Sequence, residues 1–167
     1  LAGAGRTSTS ALAFGGNPPQ LAITESYNGT SWTETTDLNT ARRELAGGGA
    51  SNTNALAIGG NLGPAATAAV EKWNGSNWTN VTSLNTARRL NAAAGATNEA
   101  IINFGGLGPP TYALTAIYNG TNWAETGDLN TARYQMAGMG TSTSALSVGG
   151  DPGSSAICEL WNGTSWT

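Results

Sequence analysis

YNGTSW at 27–32 returns as WNGSNW at 73–78, YNGTNW at 118–123 and WNGTSW at 161–166. Each copy runs aromatic ring, Asn-Gly, two small polar residues, Trp. Asn-Gly is the strongest short hairpin signal, because a type I′ turn needs positive φ at both central residues. The phrase therefore predicts four hairpins, turning at Asn28-Gly29, Asn74-Gly75, Asn119-Gly120 and Asn162-Gly163. The rings flank each turn closely enough to sit on neighbouring strands, where they can cover the face that small side chains leave unfilled. Packing is thus the expected role of the pairs Tyr27–Trp32, Trp73–Trp78, Tyr118–Trp123 and Trp161–Trp166; exposed aromatic pairs also serve sugar sites, and that second use stays open.

Two more phrases recur in fixed order. Gly-Gly closes an alternating run at 15–16, 59–60, 105–106 and 149–150, and LNTAR stands at 38–42, 84–88 and 129–133. The period is about 45 residues, the range of propeller blades. It divides the chain into one array of units at about 1–44, 45–90, 91–135 and 136–167, the last incomplete. Within a unit four short strands are expected. The first is the narrow LAGGGA type (45–50) and the second an alternating run such as NALAIGG (54–60); the third ends on the aromatic (VEKW, 70–73) and the fourth starts at Trp (WTET, 32–35). PAATAAVEK (64–72) has helix propensity, but its register with the sister units makes its end a strand. The start at Leu1 and the stop after Trp166, short of a fourth LNTAR, lead to the expectation of a window on a longer array, or of a chain whose last strand comes from elsewhere.

Composition suits close stacking and excludes several functions. There are 24 glycines and only 10% charged residues among 167. A net charge of -3, with Lys and Arg dispersed, provides no footprint for nucleic acid. Apolar runs fall short of the roughly 20 residues needed to span a bilayer, so membrane insertion is not expected. Cys158 is the one cysteine, which rules out an internal disulfide, and the expectation is a small buried apolar residue. Histidine is absent, removing the commonest general base and metal ligand. No catalytic residue, cofactor or metal is expected. Glu25, Glu71 and Glu159 share one third-strand position, and Glu34 and Glu125 one fourth-strand position, so repetition accounts for them better than a glycosidase-like acid pair. Asp37 and Asn39 lack the ligand density of a calcium loop. Six glycosylation triplets occur, at Asn28, Asn74, Asn77, Asn80, Asn119 and Asn162, and the four at Asn28, Asn74, Asn119 and Asn162 coincide with the turns that explain them.

Gly-Gly ending a strand, then an aromatic, then Trp, then an Arg such as Arg42, Arg88 or Arg133, together resemble the kelch repeat over essentially the whole chain. The resemblance implies an all-β fold, a β-propeller of four-stranded antiparallel blades. WNGTSWT (161–167) and DLNTARRELAGGG (37–49) are more specifically similar to kelch-like tandem arrays of phage tail-fibre and bacterial surface proteins. Copper oxidases built on kelch-type propellers need tyrosine and histidine ligands, which a chain without histidine cannot assemble.

Arg42, Arg88 and Arg133 are the strictly repeated charges. They are expected to lock successive blades by donating to carbonyls or to a neighbour's carboxylate, Glu34, Asp37, Glu125 or Asp128; a ring of charge for an anionic ligand is the alternative. The connections after Gly-Gly, by contrast, vary in length and side chains: NPPQLA, NLGPAATAA, LGPPTYAL and DPGSSA. In a four-stranded meander these loops and the links between units lie at one end. That end should present Asn17 to Gln20, Asn61 to Pro64, Leu107 to Tyr112 and Asp151 to Ser154, with Arg43, Arg89 and Tyr134. The expected function is a non-enzymatic structural and adhesive module of a virion fibre or cell-surface assembly, extracellular, self-associating or part of a larger assembly, with a surface glycan or receptor protein as ligand. An adaptor for protein segments and a blade set of a larger secreted enzyme are the alternatives.

Overall fold

The computed structural model describes residues 1–153 and 156–167; Ser154, the last residue of the expected variable loops, lies outside them. Among the described residues all regular structure is strand. β1 (Ala2–Thr7), β2 (Ser10–Gly16), β3 (Leu21–Tyr27) and β4 (Trp32–Thr35) form the first antiparallel sheet in sequence order. β5 (Ala46–Ser51), β6 (Asn54–Ile58), β7 (Val70–Trp73) and β8 (Trp78–Val81) form the second, and β9 (Ala92–Thr97), β10 (Ala100–Phe104), β11 (Thr115–Tyr118) and β12 (Trp123–Glu125) the third. The fourth has three strands, β13 (Ala137–Thr141), β14 (Ser144–Val148) and β15 (Cys158–Trp161). In place of a fourth strand, Thr167 and Leu160 exchange backbone hydrogen bonds in both directions. The sheets are the blades of a four-bladed β-propeller, and β1, β5, β9 and β13 line a central cavity of about 420 Å³ walled largely by glycine and alanine.

The turns differ from the type I′ expectation. Tyr27 pairs directly with Trp32, so the loop has four residues rather than two, and of its Asn-Gly pair only Gly29 has positive φ, at 97°. Asn28 Oδ1 instead accepts the backbone N–H groups of Thr30 and Ser31, both at 3.0 Å. Asn74, Asn119 and Asn162 make the same pair of bonds. Asparagine recurs as an internal acceptor that caps the loop, and its own backbone needs no left-handed geometry.

Small residues on the inner strands let the blades nest. Side chains alternate between the two faces of each sheet. Leu12 and Phe14 of blade 1 share a core with Ala55, Ala57, Trp73 and Trp78 of blade 2, and the same face-to-face arrangement recurs between blades 2 and 3 and between blades 3 and 4. The closing Trp of the second, third and fourth phrases reaches back onto the preceding blade. Trp78 meets Phe14 edge-on at 4.9 Å between centroids and Trp166 meets Phe104 at 4.8 Å, while their Nε1–H groups donate to Thr24 and Thr115 hydroxyls at 3.0 Å. Trp123, opposite a blade with Val70 at the threonine position, donates to the Thr82 carbonyl instead.

Three blade-to-blade contacts of this kind exist, and no comparable packing joins β13 to β1 among the described residues. The backward face of blade 1 and the forward face of blade 4 are consequently open. Trp32 is 49% exposed, where its counterparts Trp78, Trp123 and Trp166 are buried; Met139 and Leu160 are 51% and 58% exposed. Cys158 is exposed, contrary to the expectation of burial, because it lies on that open face; Thr24, Val70 and Thr115 at the same position are covered by a following blade.

Candidate functional site

Arg42, Arg88 and Arg133 lie between blades and are fully or almost fully buried, so none offers charge to a surface ligand. Arg42 donates to the Thr40 and Ala57 carbonyls and to the Glu71 carboxylate of the next blade. Arg133 donates to the carbonyls of Gly149 (2.8 Å) and Ile157 (2.9 Å) and to Glu159 (2.8 Å). The carboxylates are therefore those of the third strand. Of the carboxylates expected from the sequence, Asp37 and Asp128 accept the N–H groups of Thr24 and Thr115 within their own blades, and Glu125 accepts from Asn85. The Asn of LNTAR joins in: the backbone N–H groups of Asn39 and Asn130 donate to Glu71 and Glu159 at 2.7 Å.

Arg88 breaks the pattern. Blade 3 carries Ala116 where blades 2 and 4 carry glutamate, and Arg88 keeps one side-chain acceptor, the Leu114 carbonyl at 2.8 Å; its Nε and Nη2 find none among the described residues. Burial lowers its pKa from the usual value, against the opposing charges of Glu125, Asp128 and Tyr112. Asn103, whose Oδ1 also lacks a partner, stands across the strand from Ala116, whereas small Ala57 and Ser147 stand across from Glu71 and Glu159.

The variable loops and the links do gather at one end. Arg43 and Asn61, Arg89 and Leu107, and Tyr134 and Asp151 each exchange a pair of backbone hydrogen bonds, tying every link to the loop of the next blade. The links are themselves stitched in series: Leu90 N–H donates to Glu44 carbonyl and Gln135 N–H to Leu90 carbonyl, both at 2.8 Å. Side chains continue the row. Arg43 Nη1 donates to Asn17 Oδ1 (3.0 Å), Arg89 Nη1 and Asn61 Nδ2 both donate to Glu44 Oε2 (2.6 and 3.2 Å), and Tyr134 Oη donates to Asp151 Oδ2 (2.8 Å). That bond, with some burial, raises the Tyr134 pKa, while the charge of Arg89 opposes it. Gln20 reaches toward Gly63 of the neighbouring loop.

Arg89 and Tyr112, both singled out in the sequence, border one cleft of about 640 Å³ between the loops of blades 2 and 3, along with Pro64, Ala66, Leu107 and Pro109. Asn17 and Gln20 belong to the blade 1 end of the row, and Tyr134 and Asp151 to the blade 4 end, outside this cleft. Glu44 is the residue that sequence reasoning missed. It neutralises Arg43 and Arg89 at once (3.5 and 2.6 Å), and the only signal for it was its place directly after Arg43. No group of three or more His, Cys, Asp or Glu is placed to hold a metal among the described residues.

The radial blades, the buried arginine locks and the gathered loops define a β-propeller with a single decorated end. No protein-family model matches the chain, and no curated protein matches it.

Proposed function

We propose that this chain is a non-enzymatic propeller module of the kelch type that serves a structural and adhesive role on the surface of a virion fibre or cell, outside the cell, and recognises a surface glycan through its loop end. The observation that carries the reading is the cleft between Pro64 and Tyr112. There an aromatic ring, two prolines and a guanidinium already fixed on Glu44 converge on a rigid scaffold whose copied phrases leave only the loops to vary. An apolar ring edge beside a few oriented polar groups suits a sugar, which presents both C–H faces and hydroxyls. Hold on a surface would come from many such ends presented together rather than from one deep site.

A glycan array probed with the chain tests this. Binding to a restricted set of oligosaccharides, lost in Tyr112→Ala and Arg89→Ala while the melting temperature holds, is the expected outcome. Uniform lack of binding on the array would leave the scaffold role alone.

A further inference from the structure

The interface between blades 2 and 3 is internal to the array and differs from its two sisters at three buried positions. Ala116 stands where Glu71 and Glu159 carry the carboxylates that Arg42 and Arg133 bind. Asn103 stands where blades 2 and 4 have Ala57 and Ser147. Asn91 stands where Leu45 and Met136 pack into the neighbouring cores. Of the nine buried side-chain polar atoms without a hydrogen-bond partner among the described residues, five belong to Arg88, Asn91 and Asn103, so the polar deficit is concentrated here. These side chains form one patch. The Cβ atoms of Arg88 and Asn91 lie 3.3 and 3.1 Å from where a Gly106 Cβ would stand, and Asn103 Nδ2 donates to the carbonyl of Ala92, next to Asn91 (2.9 Å).

Charge decides which guest suits the patch. Water suffices for asparagine amides, but a guanidinium stays ionised, and burying it is costly unless a counter-charge lies against it. Arg88 is fully buried and makes no salt bridge; Glu125 and Asp128, the carboxylates nearest in influence, accept instead from Asn85 Nδ2 and the Thr115 N–H. In the sister interfaces the glutamate takes two kinds of donor, the arginine and the backbone N–H of Asn39 or Asn130 at 2.7 Å. Arg88 Nη2 and the Asn85 N–H hold those places here, opposite a methyl group.

We propose that the interface between blades 2 and 3 binds one small monovalent anion, the size of chloride or a carboxylate group, between the Arg88 guanidinium and the Asn85 backbone N–H, where the sister interfaces place a glutamate side chain. Asn103 is larger than Ala57 and Ser147, so it takes back part of the room that Ala116 releases and limits the guest to a single small ion. An anion held only by the folded interface stabilises the fold as its concentration rises. The site lies between blades, and the proposal stands whatever the loop end binds.

The test is thermal unfolding of the parent and of the Ala116→Glu/Asn103→Ala double variant, which supplies its own carboxylate. Sodium chloride or sodium formate replaces sodium gluconate, whose anion is too large for the site, at constant ionic strength and pH. The parent's melting temperature should climb by roughly 3 °C or more with chloride, formate or both, and the salt that acts tells whether a spherical or a planar ion is preferred. The double variant's should stay level. Equal responses in the two proteins would mark a general ion effect and overturn the proposal, as would a parent that responds to neither salt. Crystals of the parent grown in sodium bromide give a readout that does not depend on the variant folding, with an anomalous peak expected within hydrogen-bond reach of Arg88 Nη2. A water in that place, or the Asn103 side chain turned onto the guanidinium, overturns it as well.

Discussion

Glu44, Leu90 and Gln135 occupy the same place in successive links and share a left-handed backbone, with φ of 58°, 54° and 57°. A non-glycine residue there pays a steric penalty of about 1 kcal/mol, tolerated because each link is bonded on both sides. Gln135 is exposed, so replacing it with glycine removes the strain without removing a packed side chain. Gln135→Gly should raise stability by about 0.5–1 kcal/mol, read from chemical denaturation; a loss would mean that its side chain contributes contacts. Glu44 adds a charge effect. Partial burial acts to raise its pKa, but the hydrogen bonds from Arg89 and Asn61 and the charges of Arg89 and Arg43 outweigh it and hold the carboxyl below the ordinary 4.5. A depressed carboxylate pKa stabilises the fold above the unfolded-state value, and that contribution is lost as pH falls through the folded-state value. Glu44→Gln should therefore be less stable than the parent at pH 7, by under about 1 kcal/mol for a cluster that solvent still partly screens, and the gap should narrow as pH falls below the ordinary 4.5. Melting curves across that range check the sign.

The aromatic-Asn-Gly phrase specified a hairpin correctly and its turn type incorrectly. Strand ends at Tyr27, Trp73, Tyr118 and Trp161 were legible because a large ring, a breaker pair and a second ring bound each loop. The two-residue reading failed because asparagine has two ways to make a turn: adopting positive φ itself or accepting backbone N–H groups with its side chain. Here the cross-strand ring pairs, at 5.1–5.5 Å, set the loop length at four and leave the second way. Asn74→Ala removes two acceptor bonds, at 2.9 Å each, and should cost about 1–2 kcal/mol, whereas Asn74→Asp keeps an oxygen in place and should cost less. Equal losses in the two variants, measured by denaturant titration, would show that the amide nitrogen matters instead. The link arginines were legible as locks, yet their carboxylates were not. Glu71 and Glu159 sit a full strand away from the residues nearest in sequence pattern, and only the stacking of blades brings them to Arg42 and Arg133.

Blade stacking is also where the copies cease to be equal. Between blades 2 and 3 the glutamate is exchanged for Ala116 while the small residue opposite becomes Asn103, so a guanidinium stays buried on the Leu114 carbonyl without the ion pair its sister arginines make. Restoring both partners at once should restore the lock. Ala116→Glu with Asn103→Ala should be more stable than the parent by about 1 kcal/mol or more, while Ala116→Glu alone, crowded by Asn103, should be less stable than the double variant. Thermal unfolding of the three proteins decides it. The amino-acid order alone determined the period, the strand positions, the all-β class and the end of the propeller where the loops gather, since each of these follows from local periodicity and turn chemistry repeated in register. Only the tertiary structure decided which carboxylate meets each arginine, that Glu44 balances Arg43 and Arg89, and that Trp32 and Cys158 face water while their sister positions are buried. Those outcomes depend on whether another blade stands against a given face, and residues that are identical by pattern carry no record of which copy has a neighbour.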